Sequence, residues 1–372
     1  MKHVKPDAAL SANTGPFRLL HIVPEDGIGG VEIAARRSGE RLAGQIQVLF
    51  LKRRSGGELQ RESVAGVTYG IAGRALSPGN AVLAVRTARA LRPEVIVFSL
   101  WKTVLAFLLV RLLVRGPKLV LFLHSDRSTH VLDSLATMLM LRLCDVVWAD
   151  SRSAIEGRLG DTCRRPTRVI SFLLYRPGTA HGRQAKPRFA YWGRLNRTKG
   201  IDEAINLCHQ IAEHHSDARF SIIGPDSGML VQLQQQVRTM GLVDKVDFPG
   251  AMTMAQIEEA TADASFFLQL SRQEGMAMSV VEAMQLGLVP VVTKVGEIAN
   301  YCSDGENAVV HTTTDNTVRQ IETLLGDEDK YLRMSSAAAE HWADAPLYQE
   351  DILQAAHAMS SEDSPACSKV AV

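Results

Sequence analysis

Ala264-Ser-Phe-Phe-Leu-Gln-Leu270, then Glu274-Gly-Met-Ala-Met-Ser-Val-Val-Glu282, then Val289-Pro-Val-Val-Thr293 decide how this chain folds. The first and last are short apolar runs bounded by polar residues, the pattern of buried strands. Between them a polar loop leads into a helical pattern that ends at Gly287. Strand, loop, helix, strand is a βαβ unit, and such units place ligand sites at the carboxyl ends of their strands. Glu274 falls in the loop and Glu282 in the first helical turn, beside backbone amides that attract anions. Two acceptor carboxylates at a phosphate-seeking helix end suit a ligand carrying both hydroxyls and phosphates, such as a nucleotide sugar. Ser279-x-x-Glu282 is also a capping box, which needs no ligand, so Glu282 has two readings. Glu274 has no capping duty.

A second signal lies upstream. Arg188-Phe-Ala-Tyr-Trp-Gly193 predicts a strand, Arg194-Leu-Asn-Arg-Thr-Lys-Gly200 a loop, and a helix follows from about Asp202. Arg194 and Lys199 therefore sit at a strand's carboxyl end. Arginine offers a planar fork for phosphate oxygens and lysine a point charge. Together they suffice for a diphosphate without a metal, although singly such residues are ordinary solvated charges.

The amino-terminal half alternates in the same way. Phe17–Val23, Gln47–Leu51, Val95–Phe98, Lys118–Leu123 and Val146–Ala149 predict a parallel sheet. The turn Gly27-Ile-Gly-Gly30 opens a helix with Val31, Ala35, Ser38 and Leu42 on one face. Its spacing is a poor dinucleotide fingerprint and no ribose-binding acid follows it, which disfavours a nicotinamide-dependent dehydrogenase. Val104–Val114 is apolar but short of the ~18 residues of a membrane span and predicts a buried helix. His124 ends a strand and precedes Ser125-Asp126, where a side chain faces a cleft.

A length of 372 residues favours two domains, and 46% apolar residues supply full cores. The amino terminus lacks the apolar core of a signal peptide, and five scattered cysteines without metal spacing read as free thiols in a reducing, cytoplasmic setting. Residues 1 to 185 hold 27 Lys and Arg against 14 Asp and Glu, a balance of +13; residues 186 to 372 hold 14 against 26, a balance of −12. Blocks such as Lys52-Arg-Arg54, Arg86, Arg89, Arg92 and Arg164-Arg165 suit an anionic membrane surface or a polyprenyl-diphosphate acceptor. No nucleic-acid motif accompanies the charge.

Gly193-Arg-Leu-Asn-Arg-Thr-Lys-Gly200, Ile222-Ile-Gly224, Val246-Asp-Phe-Pro-Gly250 and Glu274-x7-Glu282 stand in the order seen in family-4 glycosyltransferases, and Gly29-Gly30-Val-Glu32 resembles that family's first glycine loop. The resemblance spans roughly residues 17 to 345. It implies an α/β protein of the GT-B fold, two Rossmann-like parallel-sheet domains facing across a cleft. Residues 1–182 would be an acceptor-binding domain, 183–345 a nucleotide-sugar-binding domain and 346–372 a carboxyl-terminal helix with a fraying tail.

The implied activity is a retaining, metal-independent transfer of a hexose from a UDP- or GDP-hexose to a lipid-linked or saccharide acceptor of a cell-surface polysaccharide. That reaction would run without a cofactor, at the inner face of the plasma membrane. Position by position, Arg194 and Lys199 would hold the diphosphate, Glu282 the ribose and Glu274 the sugar hydroxyls. Backbone at Met276, Ala277, Met278 and Ser279 would meet sugar and phosphate, and Met252 would border the base. Gly29 and Gly30 would admit the phosphates, and His124 would reach the transferred sugar. Asp327-Glu-Asp329 imitates the metal-binding Asp-x-Asp of other glycosyltransferases but reads as a helix start. Two departures stand out: Glu274-Gly-Met-Ala277 replaces the usual Glu-Gly-Phe-Gly, and Val169–Tyr175 replaces the usual Asn-Gly where the domains join. They leave open an alternative, a non-catalytic GT-B subunit that binds nucleotide sugar without turning it over.

Overall fold

The structure is a computed structural model that describes residues 18–27, 29–52, 64–70, 73–125, 127–128, 130–159, 165–176 and 183–360. Phe17, Ile28, Arg53, Arg54, Asp126, Arg164, the proposed boundary at residue 182 and the tail beyond Ser360 lie outside the described residues.

Thirteen strands are present among the described residues: β1 (Leu19–Val23), β2 (Ile46–Phe50), β3 (Val67–Tyr69), β4 (Val95–Ser99), β5 (Lys118–Leu123), β6 (Val146–Ala149), β7 (Thr167–Val169), β8 (Arg188–Trp192), β9 (Arg219–Ile223), β10 (Val246–Gly250), β11 (Phe266–Gln269), β12 (Val289–Val292) and β13 (Val309–Val310). The helices are α1 (Gly30–Arg41), α2 (Pro78–Leu91), α3 (Val104–Leu113), α4 (Val131–Leu143), α5 (Arg152–Leu159), α6 (Ile201–His214), α7 (Leu230–Thr239), α8 (Met254–Ala260), α9 (Met278–Gln285), α10 (Ile298–Tyr301), α11 (Thr314–Gly326), α12 (Glu328–Glu340) and α13 (Tyr348–Ser360).

These strands form two sheets. The first runs β3-β2-β1-β4-β5-β6-β7 and the second β10-β9-β8-β11-β12-β13. Every pairing is parallel. In each sheet the order reverses beside the first strand, between β1 and β4 and between β8 and β11. Ligand crevices of open parallel sheets lie at such reversal points. The strands read as unbroken apolar runs because helices cover both faces, as in Leu119-Val-Leu-Phe-Leu123 of β5. Separate cores lie on the two faces of the first sheet, and one large core fills the second domain.

The structure adds what the pattern lacked. β3 and β7 are three-residue edge strands, too short for a period to register, and they widen the expected sheet from five strands to seven. Pro249 is tolerated in β10 because that strand is an edge. The expectation of a buried helix over Val104–Val114 is corrected: α3 buries only Ala106, Phe107 and Val110, while Arg111, Leu112 and Leu113 face solvent. The last helix, α13, returns to the first domain, and its Tyr348, Ile352, Leu353 and Ala356 join that core.

Candidate active site

The loop after β8 and the loop after β11 flank the reversal point of the second sheet, and they carry both motifs. Gly200 holds them together: its φ is 63°, and a Cβ there would stand 1.8 Å from the Leu270 carbonyl oxygen. Only glycine combines a left-handed φ with that approach at no steric cost. Lys199, just before it, directs Nζ onto Glu274, 2.7 Å from Oε1 and 2.9 Å from Oε2. Gln269 Nε2 and Ser271 Oγ donate to the same Oε1, at 3.0 and 2.6 Å. Ser279 Oγ in turn donates to Gln269 Oε1 at 2.6 Å. Glu274 is thus fixed by three donors from β8–α6 and β11. Arg194 differs from Lys199: its exposed guanidinium has no ion pair or hydrogen bond among the described residues.

The capping reading of Glu282 is corrected. α9 begins at Met278 with Ala277 as its cap residue and no side-chain cap, so Ser279 and Glu282 are not in capping register. Glu282 instead accepts from Trp192 Nε1 at 2.8 Å, a bond between β8 and α9. Burial pushes its carboxyl up to about 7, against the opposing pull of the indole N–H and of Arg37 from α1. Tyr175 faces the same carboxylate, and its hydroxyl is buried without a hydrogen-bond partner. Trp192, Gln269, Ser271 and Tyr175 had no sequence signal as site residues, since each reads as an ordinary core or loop position.

Ala277 has φ 55° and ψ 60°, a left-handed conformation that costs a non-glycine residue about 1 kcal/mol. It is the cap residue of α9, whose first amides receive no side-chain cap, and uncapped helix amino ends attract anions. Its neighbours Met276 and Met278 pack against the cores of both domains. Gly275 meets the first domain too, for a Cβ on it would lie 3.6 Å from the His124 carbonyl oxygen. Glu297, whose N–H binds the Gly275 carbonyl at 3.0 Å, accepts from Ser153 N at the start of α5 at 2.9 Å. Met252 is half-buried beyond β10, in the loop at that strand's carboxyl end.

Across the cleft, β1 runs into Gly29 and Gly30 at the amino end of α1, with no side-chain cap on its amides. His124 ends β5. Its Nδ1 lies 3.3 Å from Asp150 Oδ2 and its Nε2 2.9 Å from Ser99 Oγ, which lies 2.8 Å from His21 Nε2. One arrangement satisfies the chain: His21 donates to Ser99, Ser99 to His124 and His124 to Asp150. The His124 side chain is 3% exposed, so both ring nitrogens are committed and the backbone carbonyl is what approaches Gly275. Burial, then the neighbouring His124, lowers the His21 pKa to about 3.

A cavity of about 360 Å3 opens beside His124, lined by Glu32, Trp101, Lys102, Arg127, His130 and Arg158 among others. A second, of about 280 Å3 near α11 and α12, contains none of the motif residues. Asp327 caps α12 by accepting from Lys330 N at 2.9 Å. Among the described residues no group of three or more His, Cys, Asp or Glu could hold a metal ion.

Residues 180–341 match the family described as Glycosyl transferases group 1. The chain is 28% identical over 121 residues to a GDP-mannose:cellobiosyl-diphosphopolyprenol alpha-mannosyltransferase of Xanthomonas oryzae, covering 32% of each protein. It is 32% identical over 124 residues to the mannosylfructose-phosphate synthase of Agrobacterium fabrum, 32% of this chain and 27% of that one. The match thus spans about a third of those relatives' length. Its fold is similar to that of HepE from Anabaena in complex with UDP, with a TM-score of 0.77 at 19% identity over 92% of this chain and all of that one. Sucrose-phosphate synthase from Thermosynechococcus elongatus superposes with a TM-score of 0.74 at 16% identity, over 92% and 98%.

Proposed function

For a chain that carries a Glycosyl transferases group 1 domain on a GT-B frame, we propose retaining transfer of a hexose from UDP- or GDP-hexose to a lipid-linked or saccharide acceptor. The acceptor belongs to a cell-surface polysaccharide in this reading. The observation that carries it is the placement of two fixed carboxylates, Glu274 and Glu282, on either side of a helix amino end at the reversal point of the second sheet.

In the proposed complex the diphosphate lies against the first amides of α9 and between Arg194 and Lys199. Glu282 accepts the ribose hydroxyls, and Tyr175 and Met252 border the nucleoside. Glu274, already oriented by Gln269 and Ser271, accepts from the sugar hydroxyls. Lys199 bridges Glu274 and the leaving diphosphate, so the cation meets the charge that grows as the glycosidic bond breaks. Neither a metal nor a cofactor takes part in this scheme. The acceptor enters from the cavity beside His124 and Glu32; its hydroxyl oxygen attacks the face from which the diphosphate leaves and its proton passes to the departing phosphate oxygen, which retains configuration.

The test is transfer from a panel of UDP- and GDP-hexoses, followed with the product anomer by NMR. Glu274→Gln is expected to lower kcat/KM by about a hundredfold, the scale of losing charge-assisted bonds to the sugar, while binding free nucleotide within about threefold. Turnover should persist in EDTA. Unchanged turnover in Glu274→Gln, or abolition by EDTA with rescue by manganese, would refute the scheme.

A further inference from the structure

The outward face of α4 is the reverse of a solvated one. Its exposed residues are Val131, Leu132, Leu135, Met138, Leu139 and Arg142, whereas its polar Asp133 and Thr137 are buried. A surface helix ordinarily turns its polar stripe to water. At 100° per residue the five apolar side chains fall within one arc of about 120°. The exposure is large, at 73% for Val131, 64% for Leu132 and 58% for Leu135. Leu112 and Leu113, at the end of the neighbouring α3, are exposed as well.

The charge around this row is mainly positive, with Arg111 of α3 paired to Asp145 at 3.4 Å. Between Trp101 and Cys144 the chain carries Lys102, Arg111, Arg115, Lys118, Arg127 and Arg142, all exposed, against the two acids Asp126 and Asp133. Asp133 is buried and paired with Arg158 at 3.0 Å, and Asp126 is not among the described residues. A contiguous apolar row rimmed by cations marks a surface for something apolar and anionic. A second copy of this chain fits poorly, because a twofold interface sets the same patch against itself and would bring like cations together.

We propose that α4 lies in the headgroup region of an anionic bilayer, with its apolar row toward the acyl chains and the surrounding arginines and lysines on lipid phosphates. The same helix and its cap residue His130 line the cavity beside His124, the helix through Asp133 and Thr137, with Lys102 and Arg127 also in its lining. A helix that both floors the cavity and touches lipid brings the cavity mouth to an acceptor held in the membrane. That last step rests on the transferase reading; the lipid contact does not. No helix among the described residues is long and apolar enough to cross a membrane, so the contact is a lateral one.

The experiment is sedimentation of the full chain with vesicles of phosphatidylcholine alone or mixed with phosphatidylglycerol, at low and high salt. Wild type is expected to bind the anionic vesicles, less so as salt rises. Leu132→Ser/Leu135→Ser should lower partitioning by about tenfold or more, while Val231→Ser, which alters an exposed apolar residue on α7 of the other domain, should not. Equal partitioning of the α4 double variant, or equal binding of wild type to neutral vesicles, overturns the proposal. So does a wild-type dimer that this variant makes monomeric without a change in lipid binding, which would assign the face to a second copy. Nucleotide titration separates the two readings. If wild type binds no nucleotide yet sediments as expected, the transferase reading fails and the lipid contact stands.

Discussion

Glu282 carries a pH signature that its surroundings impose. Burial raises its carboxyl from 4.5 to about 7, with Trp192 opposing the shift. In the unfolded chain the group ionises near the lower value, so between the two the folded protein holds a proton that the unfolded one has released. Stability therefore falls as pH rises through that window. Glu282→Gln is expected to unfold like wild type near pH 5 and to be more stable by about 1–3 kcal/mol near pH 8, read from denaturant midpoints. In the proposed complex the ribose hydroxyls donate to an ionised Glu282, so nucleotide binding to wild type near pH 6 should release a proton, detectable by calorimetry in two buffers. The variant should bind nucleotide more weakly and release none. The sequence offered two readings of Glu282, and the register of α9 removes the capping one: the cap residue is Ala277, two positions before the Ser279 that a capping box would require.

At the scale of elements, the polar chain His21–Ser99–His124–Asp150 ties the middle of β1 to the carboxyl ends of β4, β5 and β6. Ser99 is its middle, accepting from one imidazole and donating to the other. Ser99→Ala would leave two buried ring nitrogens unpaired, and the expected cost is about 1–3 kcal/mol in chemical denaturation. His124 should then lose its fixed orientation, so acceptor KM is expected to rise more than the affinity for free nucleotide falls. The residues of this chain are 78 and 25 positions apart, and no local pattern announces that they meet. The outward face of α4 escaped the sequence for a related reason. Its apolar period is that of any amphipathic helix, and which arc faces the core depends on what packs there.

Over the whole molecule, α13 fastens the carboxyl end of the chain to the first domain. Asp351, 6% exposed, accepts from Arg168 at 2.7 Å and from Ser171 N at 2.7 Å, and Tyr348 N binds the Leu173 carbonyl. These contacts grip the segment Val169–Tyr175, which follows β6 and α5 and precedes the second sheet. Asp351→Ala removes a buried acceptor from two donors, and a loss of about 2–4 kcal/mol is expected. The readout is a lower denaturation midpoint together with proteolytic cleavage between α12 and α13, since α13 would detach first. An unchanged midpoint would show that the apolar contacts of Tyr348 and Ile352 alone hold the helix.

Local pattern by itself determined the alternation of strand and helix, the two-domain division, the placement of Arg194, Lys199 and Glu274 in loops at strand ends, and that of Glu282 in the helix that follows. Those features follow from apolar periodicity and from the rule that parallel strands present their carboxyl ends to ligands, both of which act within a few dozen residues. Tertiary structure decided the rest. That Lys199 pairs with Glu274, 75 positions away, and Trp192 with Glu282, 90 positions away, depends on β8 and β11 lying side by side. The return of α13 and the bridging of both cores by Met276 and Met278 depend on how the domains meet. Hydrophobic burial is non-directional, so a sequence specifies that such side chains will be covered, while only the assembled fold specifies by what.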